Sequence, residues 1–267
     1  MPAIGFLGFG NMAQALSKGI IESGFVSENE IHAYDTDKSQ IEKFGKNIVS
    51  SDNALQVTQE AKYVFLCIKP QVADVAIGPI VSGLTENHVI VSILAGVSVK
   101  RIKSLIGGVC PVVRVMPNTP MLLGCGATAI SKPQGISDTD YSFLINVFKC
   151  VGTVYEIPGN KFNEVIPVNG SSPAFIYLFA KIVAESAAKY GLDYKTSLDL
   201  FSDTLIGSAR MLKESGISAD KLIEMVASKG GTTEAALETM LKLGFSTAVE
   251  SGFDSCVGRA YELGKDA

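Results

Sequence analysis

The stretch that most constrains this chain lies within its first dozen residues, Ala3-Ile4-Gly5-Phe6-Leu7-Gly8-Phe9-Gly10-Asn11-Met12-Ala13. An apolar run with the character of a buried strand breaks at Gly8-Phe9-Gly10 and passes straight into a helical pattern carried by Met12, Leu16 and Ile20. Strand, glycine turn and helix in that order are the context in which a dinucleotide is held. Gly8 permits the tight turn, Gly10 lets the backbone approach a diphosphate, and the small Ala13 keeps helix and strand close. The amide N–H groups and positive end of the helix then attract the anion. An ordinary glycine turn ahead of a helix carries the same local pattern, and the next strand bears on the choice.

That strand is Ile31-His32-Ala33-Tyr34, and it ends at Asp35, 25 residues after Gly10. An acid there is placed to accept hydrogen bonds from the adenosine ribose hydroxyls and to repel a 2′-phosphate. The cofactor expected is therefore NADH or NADPH, with NADH favoured by Asp35. Asp35, Thr36 or Asp37 would equally cap the helix carrying Ile41 and Phe44, and Lys38 is a cation a phosphate would meet.

Further apolar strands follow near Ile48, at Tyr63–Ile68, Val89–Leu94 and Val112–Met116, with later ones at Ala127–Ser131 and Thr153–Ile157 expected at an edge. A helix containing Asn53, one capped by Ser98 and one over Asp138–Val151 alternate with them. The alternation predicts an α/β fold, a Rossmann-type, mostly parallel sheet with right-handed crossovers. Three turns at strand ends stand where such folds place ligands: Lys69-Pro70-Gln71, Ala95-Gly96, and Pro117-Asn118-Thr119-Pro120.

The pattern changes at Pro158-Gly159-Asn160, so the chain divides into residues 1–158, the dinucleotide-binding domain, and residues 159–267, an all-helical substrate and dimerisation domain. Helices are expected at about 161–190, 195–215, 218–228, 232–243 and 245–264, several closed by glycine plus an apolar residue. The run Ala174-Phe175-Ile176-Tyr177-Leu178-Phe179-Ala180 is apolar all round a helix, which requires burial on every side. A helical region of about a hundred residues does not easily enclose it, so a partner subunit in an interlocked homodimer is expected, with burial inside one subunit as the other solution.

Several partners are excluded. A net charge of −4 without a basic run argues against nucleic acid. The longest apolar stretch, Val89–Val97, is too short for a membrane span, and no basic n-region with a cleavage site is present. Five cysteines without a C-x-x-C pair point to reduced thiols and a cytoplasmic setting. The only histidines, His32 and His88, lie away from the strand ends and are read as structural, and no metal is expected.

The shortage of histidine also bears on chemistry. Reducing a ketone requires a proton donor for the developing alkoxide, commonly His or Lys. A protonated imine needs none, because hydride addition neutralises it. The site then needs a flat nicotinamide, an anchor for a carboxylate and a polar group beside the ring nitrogen. Ser228-Lys229-Gly230-Gly231-Thr232-Thr233-Glu234 offers glycine amides and threonine hydroxyls for the last two, although a plain capped helix start reads the same way.

Taken together, six stretches resemble the pyrroline-5-carboxylate reductase family: Ile4–Met12, Ile68–Gln71, Ser92–Gly96, Arg114–Pro120, Gly170–Phe175 and Gly230–Thr233. The first is common to many nucleotide folds, whereas the last three in this order and spacing are specific. The resemblance implies hydride transfer from NAD(P)H to C5 of the cyclic imine 1-pyrroline-5-carboxylate, giving L-proline in the last step of its biosynthesis. It implies that Gly8, Phe9, Gly10, Asn11 and Met12 hold the diphosphate, with Asp35 and Asn53 near the adenosine ribose. Lys69, Pro70, Ala95 and Gly96 would border the nicotinamide, and Asn118 would frame the substrate side. Thr233 would orient the ring from beside the imine nitrogen, while Ser228 and the amides of Gly230, Gly231, Thr232 and Thr233 hold the carboxylate. In the family these last groups come from the partner subunit, so shared active sites are implied, and some members assemble further into rings of dimers.

Two residues depart from the pattern. Lys229 stands where the family usually has proline, and Asp35 where many NADPH-using members carry Ser, Asn or Arg nearby. Two other functions share part of this pattern. A β-hydroxyacid or ketopantoate-type dehydrogenase has a similar build and would use Lys181 or Lys189, but its glycine-rich lysine motif is missing. A dinucleotide-sensing regulatory protein would bind without turnover.

Overall fold

The computed structural model describes residues 3–45 and 47–265. Its strands are β1 (Ile4–Leu7), β2 (Ile31–Tyr34), β3 (Val49–Ser50), β4 (Tyr63–Leu66), β5 (Val89–Ser92), β6 (Val112–Met116), β7 (Gly126–Ile130) and β8 (Gly152–Glu156). The helices are α1 (Asn11–Glu22), α2 (Ser39–Glu42), α3 (Ala54–Glu60), α4 (Ala73–Ile77), α5 (Val99–Leu105), α6 (Asp138–Lys149), α7 (Ser172–Ala188), α8 (Tyr194–Glu214), α9 (Ala219–Val226), α10 (Thr232–Lys242) and α11 (Phe245–Lys265). They form two compact units, one of Met1–Pro173 with Cys256–Ala267, the other of Ala174–Ser255.

The first unit is a single eight-stranded sheet in the order β3-β2-β1-β4-β5-β6-β7-β8. Strands β1, β4, β5 and β6 are buried at every position, which is why they read as unbroken apolar runs: a parallel sheet is covered on both faces. Alternate residues supply the two layers. Phe6, Phe65 and Val91 pack on one side with Phe9, Leu16 and Phe148, while Leu7, Val64, Leu66 and Ile90 pack on the other with Val57, Ile77 and Ile102. Each such side chain contributes roughly 1.5–3 kcal/mol by leaving water. The order reverses direction between β1 and β4, and the crevice outside the carboxyl ends of these strands is where an open α/β sheet receives a ligand.

One pair breaks the parallel rule: β7 runs antiparallel to β6, with Val115 opposite Ile130. Only residues 117–125 connect them, too few for a parallel crossover, which takes a dozen or more. Strand β7 is therefore interior to the sheet, and β8 alone of the late pair forms its edge.

The continuous helix expected over 161–190 is interrupted. A short 3-10 turn at Gly159–Lys161 and a wide turn at Ile166–Gly170, closed by Ser171 N–H donating to the Ile166 carbonyl (2.8 Å), precede α7. Pro167 and Pro173 have no amide hydrogen to give a helical ladder, so α7 starts with Pro173 in its first turn. Asn53, expected inside a helix, caps α3 instead, accepting from Gln56 N–H at 3.0 Å.

The second unit is helical throughout and lacks a core of its own. Large apolar side chains lie open along it: Phe175, Ile176, Tyr177 and Leu178 are 47%, 47%, 61% and 58% exposed, and Phe179 is 38% exposed. Phe179 meets Phe201 edge-on (5.5 Å) and Phe245 (6.3 Å), yet these contacts leave most of the surface open. Such an apolar area on one chain is the mark of an interface rather than of a monomer surface. Among the described residues no helix is long and apolar enough to cross a membrane.

Candidate active site

The glycine turn after β1 is built by its neighbours. Gly8 has φ +83°, and a Cβ there would lie 2.5 Å from the Cys67 carbonyl oxygen at the end of β4, so no other residue fits. Its N–H donates to the Tyr34 carbonyl (2.8 Å). Phe9 turns its ring inward, fully buried against Phe6 and Phe44, so only its backbone lies along the turn. Gln14, which sequence reasoning passed over, braces the turn by donating from Nε2 to the Phe9 carbonyl (2.9 Å) and the Gln40 carbonyl (3.2 Å).

Gly10 is different. Its φ of −77° suits any residue, and a Cβ on it would meet no atom of the chain within 4 Å. It is the N-cap of α1, and no side chain caps that helix end. The cradle is thus open where the amides of Asn11 and Met12 begin the helix. Ala13, fully buried, keeps α1 against the sheet.

Asp35 closes one side of the crevice. Its carboxylate accepts the Phe9 N–H (2.6 Å) through Oδ2 and the Asp37 N–H (2.9 Å) through Oδ1, so the acid and the glycine turn are directly coupled. Lys38 is exposed and lies 3.9 Å from Asp52. Asn53 is exposed, Lys69 is exposed and Pro70 partly so, the last two at the end of β4. Burial pushes the Cys67 thiol far up, so it is no nucleophile for the crevice.

Ala95-Gly96 follows β5, and Gly96 has a structural reason to be glycine. Its φ is +78°, and a Cβ would lie 2.8 Å from Leu263 Cβ and 3.0 Å from the Ala260 carbonyl of α11. After β6, Asn118 bridges backbone: Oδ1 accepts the Ala127 N–H (2.9 Å) and Nδ2 donates to the Asn169 carbonyl (3.4 Å). Asn169 in turn donates to the Met116 carbonyl (2.6 Å).

A second residue missed from the sequence is Arg114, 6% exposed inside β6. It donates from Nη2 to Asn163 Oδ1 (2.9 Å) and lies over the Phe162 ring at 5.1 Å. Burial lowers its pKa to about 10, against the pull of Glu164, whose carboxylate accepts the Tyr261 hydroxyl (2.6 Å). This cluster fastens residues 162–164 to the sheet. A lone arginine in Val112-Val113-Arg114-Val115-Met116 was its sequence signal. The histidines do structural work: His88 faces Thr85 Oγ1 (2.9 Å) and the Thr58 carbonyl (2.7 Å), and His32 lies within β2.

In the second unit, the loop before α10 has a fixed form. Gly230 adopts φ +73°, and Gly231 N–H donates to the Ser228 carbonyl (2.9 Å). A Cβ on Gly231 would lie 2.8 Å from the Ser228 carbonyl oxygen and 2.7 Å from its Oγ, so position 231 has to be glycine. Gly231 is the N-cap of α10 and no side chain caps it in the usual way. Glu234 reaches back and accepts the Gly230 N–H at 2.6 Å. Ser228, Lys229 and Thr232 are exposed, and Thr233 is half-buried, lining with Met211, Ile223 and Val226 an apolar groove of about 1050 Å³.

Two family models match this chain. The one described as pyrroline-5-carboxylate reductase dimerisation covers residues 159–263, and the one described as NADP oxidoreductase, coenzyme F420-dependent, covers residues 3–96. A curated pyrroline-5-carboxylate reductase of Escherichia coli is 31% identical over 266 residues, 98% of each chain. The chain belongs to the pyrroline-5-carboxylate reductase family. Among solved structures, a pyrroline-5-carboxylate reductase from Coxiella burnetii superposes with a TM-score of 0.88 at 27% identity over 98% of each chain. A pyrroline carboxylate reductase of Plasmodium falciparum with NADP bound has the same fold, with a TM-score of 0.91 at 24% identity over 98% of each chain. As a pyrroline-5-carboxylate reductase family member, the chain has a dimerisation domain consistent with a homo-oligomer, which accounts for the exposed apolar helices of its second unit.

Proposed function

We propose that this chain reduces 1-pyrroline-5-carboxylate to L-proline with a nicotinamide dinucleotide, NADH being preferred to NADPH. The open cradle at Gly10, where a Cβ would meet nothing of the chain while α1 stands uncapped, is the single observation that carries the cofactor reading. Gly10, Asn11 and Met12 present free backbone to the diphosphate, while Gly8 and Phe9, whose amides are spent on the Tyr34 carbonyl and Asp35, shape the turn that holds it. Asp35 and Asn53 flank the adenosine ribose, and Lys69, Pro70, Ala95 and Gly96 border the nicotinamide. Asp35 favours the cofactor without a 2′-phosphate, because a fixed carboxylate repels that group. When bound, the dinucleotide supplies the hydride.

The chain's own residues bind and orient. Ser228 and the loop amides hold the substrate carboxylate, Thr233 sits beside the imine nitrogen, and Asn118 steadies the turn on the substrate side. No side chain need give a proton to the ring nitrogen, since the imine arrives protonated there and hydride addition at C5 neutralises it, and catalysis rests on proximity and on the face presented. The glycine-threonine corner is supplied by the partner subunit, so a site is shared between two copies, and dimers assemble further into a ring. Residues 1–158 carry the cofactor and 159–267 the substrate loop and the dimer contacts. Five unpaired thiols suit a reducing, cytoplasmic compartment.

A hydroxyacid dehydrogenase has less support: Lys181 is exposed and paired with Glu185 at 3.6 Å. The deciding assay follows NADH and NADPH absorbance with racemic 1-pyrroline-5-carboxylate and identifies the product. Proline formed with either cofactor is the expected result. Turnover of a 2- or 3-hydroxy acid without activity on the imine would overturn the reading.

A further inference from the structure

The substrate loop already holds a carboxylate, and it is the chain's own. Glu234, in the first turn of α10, accepts the Gly230 N–H at 2.6 Å, in the range of a charge-assisted hydrogen bond. Gly230 can present that amide because its backbone is left-handed, with φ +73°. Lys229 is the loop's one cation and makes no ion pair among the described residues, so the carboxylate rests on the amide and the helix end rather than on a lysine. The same amide is one of those assigned to the carboxylate of the substrate. Two carboxylates cannot accept from one N–H in the same place.

We infer that Glu234 is a positioning residue that occupies the substrate's carboxylate position in the free enzyme and must be displaced for the imine acid to bind. This rests on the reading of Ser228–Thr233 as the carboxylate anchor. The exchange replaces one carboxylate by another, so it keeps the loop in its binding shape at all times. Its effect is competitive: the binding-competent fraction is the fraction in which Glu234 has let go, and apparent affinity falls by that fraction. A substrate analogue without a carboxylate does not compete with Glu234.

The test uses the full-length oligomeric enzyme, with Glu234→Gln and Glu234→Ala variants whose assembly is checked by sedimentation. Glu234→Ala is expected to lower KM for 1-pyrroline-5-carboxylate about tenfold, the factor carried by one charge-assisted hydrogen bond, with kcat changed far less. Glu234→Gln, retaining a neutral acceptor, should fall between. The inhibition constant of tetrahydrofuran-2-carboxylate should drop in parallel, while KM for 1-pyrroline, which lacks the carboxylate, should stay where it was. Ser228→Ala separates the two ideas. If it raises KM for the acid while neither Glu234 variant lowers it, the anchor stands and the displacement is wrong. If neither Ser228→Ala nor the Glu234 variants change KM for the acid, the anchor itself is misplaced and this inference falls with it. A rise of KM in both Glu234 variants would show that Glu234 only supports the loop.

Discussion

Two glycines two positions apart in the sequence should respond to the same substitution in opposite ways. Gly8 is held at φ +83°, where an alanine costs about 1–2 kcal/mol in backbone energy alone. Its Cβ would also lie 2.5 Å from the Cys67 carbonyl and 2.9 Å from Ile68 Cγ2, and overpacking of this kind adds roughly 1–3 kcal/mol. Gly8→Ala should therefore destabilise the fold by about 2–5 kcal/mol, the sum of those two ranges. Gly10→Ala meets neither obstacle, since φ is −77° and no atom lies within 4 Å of the new methyl. The stiffer unfolded chain gains it about 0.4–1 kcal/mol, offset by alanine's poorer standing at an N-cap. Its urea midpoint, read at fixed protein concentration without cofactor, should stay close to the parent's. The methyl would instead stand where the diphosphate comes closest to the backbone. Loss of one amide–phosphate bond at about 1.5–3 kcal/mol predicts NADH binding weaker by about 10- to 100-fold. Titration of NADH fluorescence measures it. A Gly10→Ala protein that binds NADH as the parent does, or that unfolds as readily as Gly8→Ala, would refute the reasoning.

Three other outcomes are expected. Asp35→Ser should shift the ratio of kcat/KM for NADH over NADPH about tenfold toward NADPH, and also weaken NADH outright, because the Phe9 and Asp37 amides lose their acceptor; an unchanged ratio removes Asp35 from cofactor choice. Tyr177→Glu, at a position 61% exposed on one chain, should yield a smaller species in sedimentation, and an unaltered oligomer would take this helix face out of the interface. Finally, burial holds the His32 pKa below its ordinary 6.5, and Nδ1 is buried without a partner. Above pH 6.5 the ring is neutral folded and unfolded alike; below it the unfolded chain takes up a proton first, so stability should decline as pH falls from 6.5 toward the lowered value. His32→Gln should flatten that decline in urea midpoints taken between pH 7.5 and 5, and an equal slope would assign it to other groups.

Much of the molecule was legible because its signals are local. Apolar runs with parallel-sheet character, glycine plus an apolar residue closing the C-terminal helices as at Gly191-Leu192, and Ser98 as a cap all follow from backbone chemistry within one turn, and each was found in place. Other features were not legible because their causes are distant in sequence. That β7 turns antiparallel depends on how few residues join it to β6, and the break before α7 on prolines whose missing amides matter only once a helix is attempted.

What the sequence alone determined is the succession of elements and the residue types at the cradle and the loop, since both arise from glycine's backbone freedom and from side-chain periodicity. Only the tertiary structure decided what those residues are pressed against. It separated Gly8, excluded from bearing a side chain by Cys67, from Gly10, which no part of the chain excludes. It joined Asp35 to Phe9 across 26 positions, and it set the Glu234 carboxylate on the Gly230 amide. A composition can specify a donor and an acceptor; whether they spend themselves on each other or on a ligand is settled by distances of a few ångströms, which exist only after the chain has closed on itself.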